Sequence, residues 1–188
     1  MMKFEIAQET LLSELINDCM TVLEKDLTVI EEDDIDPRLG FVWCAPDRQS
    51  IHFVNTTIGD WCKFETKDRN AQPYYDYRQI VDLAKDPCCT TPIQEDDEIV
   101  FAILSVLHEI GHCVDYQNDK EDFEYRADRK QVELGIISSY AQAQADEGKD
   151  CAEVFSRYAA LYRCLPCEKE ADRYAVSNLE KMLLQPED

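Results

Sequence analysis

No stretch of this 188-residue chain approaches the roughly 18 uninterrupted apolar residues that a membrane-crossing helix needs, so no transmembrane span is expected. An apolar leader is missing too. Met1, Met2, Lys3, Phe4 and Glu5 run into an amphipathic pattern, and no secretory signal is expected. Basic charge is scarce: 19 Lys and Arg face 40 Asp and Glu, for a formal net charge of -21. A surface that acidic repels phosphate backbones and anionic headgroups, which argues against nucleic acid and membrane surfaces as partners. The acidity reads as a route to solubility or as a match to a cationic partner. Internal repeats and low-complexity segments are absent. Nine cysteines, an odd number, fit badly with a complete disulfide framework. Without an export signal they read as reduced thiols, which implies a cytoplasmic setting.

What is present fits one compact domain spanning residues 1–188. Ile6, Leu11, Leu12, Leu15, Ile16, Cys19, Met20 and Leu23 recur at helical spacing and predict an amphipathic helix over residues 5–25. The acidic run Glu31, Glu32, Asp33, Asp34, Ile35, Asp36, Pro37 lacks the glycine and ligand spacing of a calcium loop and reads as a solvated loop. Residues 40–44 and 50–55 favour strands around a turn at 45–49. The second of these predicts an edge strand able to pair with an extended peptide. Residues 59–77 read as irregular or short helical, and 77–84 as a short helix stopped at Asp86 and Pro87.

A long helix is expected from about Pro92. It carries Glu95, Asp96, Asp97 and Glu98 in its first turn, where the helix dipole favours acids. Ile99, Val100, Phe101, Ile103, Leu104, Val106, Leu107 and Ile110 are apolar almost all round, as in a helix buried mid-domain. The rest of the chain reads as helices with breaks near Gly148 and Pro166. The fold class is therefore α+β, a small N-terminal sheet packed on a buried helix with a helix-rich C-terminal half.

On that buried helix, His108 and His112 are four residues apart and project from one face, the geometry that lets two imidazoles hold one ion. Glu109, beside the first of them, is placed to take a proton from a metal-activated water. Gly111 costs a helix about 1 kcal/mol relative to alanine, so something must approach closely there. A catalytic site needs a third ligand. Asp115 and Asn118 stand where a metzincin would place glycine and histidine, which excludes that class. Glu168 and Asp172, four apart on a later helix, supply a candidate ligand and a group to orient an imidazole, with Ala171 and Ala175 small enough for close packing. Glu170 is the fallback ligand, and an ordinary charged surface face is the competing reading. Cys164 and Cys167 have the two-residue gap of a metal or redox pair but lack two further ligands. His52 reads as structural.

The sequence His108-Glu109-Ile110-Gly111-His112, followed by Glu168, Ala171 and Asp172, resembles the gluzincin metallopeptidases. Residues 165–175, LPCEKEADRYA, resemble in particular the small phage and bacterial zinc peptidases of the ImmA/IrrE type. The resemblance extends over residues 50–55, 98–115 and 165–184. It implies a zincin-like fold, one catalytic Zn2+ on His108, His112 and Glu168, Glu109 as general base, and a peptide or regulatory protein as substrate. Residues 117–163 are longer than the compact family pattern and read as a helical insertion. Tyr125, Tyr140, Tyr158 and Tyr162 within it are candidate oxyanion donors that spacing does not rank. A catalytically inactive binding or regulatory module on the same fold is the competing function, although such a module has no need of Glu109.

Overall fold

The computed structural model describes residues 6–34, 40–45, 48–85 and 96–183. The expectations that fall on Pro92 and Glu95, on Cys88 and Cys89, on Asp86 and Pro87, on the centre of the 45–49 turn and on the end of the acidic run lie outside those residues.

Seven helices and three strands make up the described chain: α1 (Leu12–Val22), β1 (Thr28–Glu31), β2 (Val42–Cys44), β3 (Ser50–Phe53), α2 (Ile58–Thr66), α3 (Gln72–Leu83), α4 (Asp97–Asn118), α5 (Lys120–Asp146), α6 (Cys151–Arg163) and α7 (Pro166–Leu183). The mixed α+β class holds. α4 is the axis of the molecule: α1, α2, α3, α5, α7 and the sheet all pack against it. Ile103, Leu104, Leu107 and Ile110 are completely buried, and each contributes roughly 1.5–3 kcal/mol by leaving water. Among the described residues α4 alone is long and apolar enough, by length and mean hydropathy, to cross a membrane, but Ser105, His108, Glu109 and His112 interrupt it and 78% of its apolar stretch is buried by the rest of the chain.

α1 begins later than its apolar spacing predicts, because Leu11 is extended and bridges Thr57. The 59–77 stretch resolves into α2 and the first half of α3. Thr57 caps α2 by accepting from the Asp60 N–H, and a proline in the first turn opens α3.

The sheet corrects one expectation. β2 and β3 form the anticipated antiparallel pair, Trp43 opposite His52, but β1 pairs with β3 in parallel, so the order is β1-β3-β2. β3 is therefore the central strand and cannot receive a peptide; among the described residues the edges are β1 and β2.

One residue closes α4 and opens α5. The Asp119 N–H donates to the Asp115 carbonyl, and its side chain accepts from the Asp122 N–H. Gly148 at φ +75 then turns the chain into α6.

α7 lies closest of all to α4. A Cβ on Gly111 would stand 3.1 Å from the Ala171 Cα, the Ala171 carbonyl oxygen and the Tyr174 Cβ, which explains the tolerated glycine. Gly111→Val is expected to lower stability by about 1–3 kcal/mol through overpacking, read from thermal or denaturant unfolding. An unchanged midpoint would show that the helices have room to spare.

Candidate metal centre

Close contact between α4 and α7 places His108 and His112 opposite Glu168 in the first turn of α7. All three are buried, Glu168 being only 1% exposed. His108 Nε2 lies 3.3 Å from Glu168 Oε2, and His112 Nε2 lies 3.7 Å from Glu168 Oε1. Among the described residues, this is the one group of His, Cys, Asp and Glu whose donor atoms converge closely enough to hold an ion. Two donors at about 2.1 Å from one tetrahedral ion sit about 3.4 Å apart, so the His108 Nε2–Glu168 Oε2 separation suits a shared metal, and one donor atom from each of the three residues lies within 4.8 Å of the other two. Glu168 Oε2 and His112 Nδ1 are buried without a hydrogen-bond partner. A buried carboxylate oxygen left unpaired costs stability, and a cation would satisfy it. Two imidazoles and a carboxylate fit a divalent metal.

Asp172, one turn after Glu168, reaches His108 from the other side. Its Oδ1 lies 2.8 Å from His108 Nδ1 and accepts from Arg163 Nη1, also at 2.8 Å. Arginine only donates, and its 3.3 Å approach to His108 Nδ1 is the longer contact. His108 Nδ1 is therefore the protonated nitrogen that donates to Asp172, which turns Nε2 toward Glu168.

The charges of the site follow from this packing. Burial by itself would lower the His108 pKa, but the hydrogen bond to Asp172 and the Glu168 carboxylate beside the ring outweigh burial and raise it to about 9. Burial and the neighbouring His108 charge hold His112 well below the usual histidine range. Burial would raise Glu168, yet His108, His112 and Lys130 together hold it well below the usual carboxylate range. Burial lifts the Glu109 carboxyl, against the opposing pull of His108 and the Cys44 N–H. Glu109 is held from the sheet: the Cys44 N–H of β2 donates to its Oε2 at 2.8 Å.

Several residues of 117–163 reach the cluster. Phe123 of α5 covers the His112 ring edge-on at 6.4 Å, and Arg126 ties α5 to α4 through two hydrogen bonds to Asp115. Lys130 Nζ is 2.5 Å from Glu168 Oε1 and 3.3 Å from the Tyr162 hydroxyl. Of the four tyrosines singled out, Tyr162 stands at the site, whereas Tyr125 and Tyr140 are exposed.

Three other sequence candidates lie apart from the cluster. Glu170 points to Arg173 on the surface. His52 uses both ring nitrogens on Glu32 and Ser50, at 2.6 and 3.1 Å, and stacks on Trp43. Cys164 is exposed and Cys167 buried, both as free thiols.

Sequence reasoning missed Lys130, Arg163 and the Cys44 N–H. A signal for Lys130 existed: it lies seven residues from both Phe123 and Ile137, the two buried residues of α5, at a spacing that shares a helix face.

Asp172→Ala is expected to weaken metal binding about 10–100-fold by releasing the His108 ring. A chelator-competition titration with circular dichroism as a fold control checks this; equal affinity would separate Asp172 from the site. Set against known proteins, the chain matches no family model, no curated protein and no solved structure, so a functional reading rests on the geometry of His108, His112 and Glu168 together with the sequence resemblance.

Proposed function

We propose that this chain is a zinc-dependent metallopeptidase with a zincin-like arrangement, akin to the ImmA/IrrE-type peptidases that its sequence resembles. His108, His112 and Glu168 would hold the ion, and Asp172 would orient His108. A bound zinc ion supplies Lewis acidity, lowering the pKa of water toward about 7 and polarising a carbonyl. Three protein donors leave one position open for chemistry, whereas a structural site is usually closed by four.

The observation that carries the reading is Glu109. It follows the first histidine, it is not one of the three converging donors, and the Cys44 N–H fixes one of its oxygens at 2.8 Å. A carboxyl lifted above its ordinary value by burial is a better proton acceptor near neutral pH than a solvated one. In this reading Glu109 takes a proton from the attacking water and returns it to the leaving amine. β2, an edge strand whose Cys44 meets Glu109, takes the peptide-pairing role that the sequence assigned to residues 50–55. The acidic surface favours a peptide or protein segment with basic character over nucleic acid or anionic lipid.

Glu109→Gln is the direct test. It keeps the shape and the Cys44 hydrogen bond while removing the base. Peptide hydrolysis is expected to fall by about 10²–10⁴-fold with metal content unchanged. A variant that cleaves the same peptide as fast as wild type contradicts the assignment.

A further inference from the structure

We propose that Lys130 is a positioning residue that keeps Glu168 a one-oxygen metal ligand, holding Oε1 so that Oε2 alone is free for the ion; this rests on the metal-site reading above.

Lys130 sits near the middle of α5 on the face that buries Phe123 and Ile137. Its side chain is 19% exposed against 1% for its partner Glu168. Two groups fix the ammonium. Glu168 Oε1 accepts at 2.5 Å and the Tyr162 hydroxyl at 3.3 Å, while the Tyr162 ring centroid lies 5.1 Å from Nζ. Glu168 Oε2, by contrast, is buried and without a hydrogen-bond partner, 3.3 Å from His108 Nε2. The two oxygens of one carboxylate thus stand in different situations, one claimed by α5 and one left for α4.

An ion pair of this kind is a poor device for docking α5, because stripping water from an ammonium costs as much as the pairing returns. α5 is in any case anchored by Phe123 and by the Arg126 pair to Asp115. The consequence for coordination is different in kind. A carboxylate free to turn can give both oxygens to one ion, which with two imidazoles makes four protein donors and crowds the position that catalysis requires. With Oε1 held by Lys130, Glu168 gives one. The ammonium also places a positive charge beside the ion's seat, so binding is weaker than the three donors alone would provide. Lys130 therefore exchanges affinity for an open coordination position.

Co2+ is the probe, because its visible absorption is strong in four-coordinate sites and weaker in five-coordinate ones. Wild type is expected to bind one Co2+ with a four-coordinate spectrum. Lys130→Met should bind Co2+ about tenfold more tightly, within the range of outer-shell effects, and its band should lose intensity. Lys130→Arg, which can still hold Oε1, should restore the wild-type spectrum. Tyr162→Phe, which removes the second anchor of the ammonium without leaving a charge unpaired, should shift the band in the same direction as Lys130→Met and carries the test if that variant does not fold. Spectra and affinities unchanged from wild type, or weaker binding with a four-coordinate band, overturn the role of Lys130. No Co2+ binding by wild type overturns the metal site itself.

Discussion

The contact between Gly111 and Ala171 is the constraint on which the site depends. A helix pair separated by ordinary side chains lies 8–10 Å apart between axes, and a Cβ on Gly111 has no room against the backbone of Ala171. Because α7 comes so near, Glu168 and Asp172, at i and i+4 on one of its faces, meet His108 from two sides at once. The rest of the fold keeps α4 still. Its apolar girth is sealed by α1, α2, α3 and the sheet, so the histidines project from a rigid element.

That closeness concentrates charge in a dry place. Glu168 and Asp172 are both buried and ionisable, and each has its own cation brought from the segment between α4 and α7: Lys130 for Glu168, Arg163 for Asp172. Buried charges left unpaired would destabilise the core by several kcal/mol each. α5 and α6 thus set a cation beside each of these buried carboxylates. A segment remote in sequence is in this way structural for the candidate centre, and Phe123 adds a wall against His112.

Much of this was legible in the sequence because it obeys strong periodicities. A run from Ile99 to Ile110 that is apolar all round belongs in a core, and two histidines or two carboxylates four apart must share a helix face. The central position of β3 was not legible. β1 is a short, mostly exposed strand that runs into the acidic stretch at Glu31, so nothing apolar marked it, and without it β3 looked like an edge. Lys130 and Arg163 were hidden for another reason. Each is one cation on a polar helix, and only tertiary packing distinguishes a buried one from its solvated neighbours. The Cys44 N–H that holds Glu109 is backbone and leaves no trace in residue type.

Anomalous diffraction at the zinc edge, on crystals of protein reconstituted with one equivalent of Zn2+, tests the central claim most directly. A single peak is expected about 2.0–2.2 Å from His108 Nε2, His112 Nε2 and Glu168 Oε2. No peak at that position, or an ion held by other residues, would contradict it.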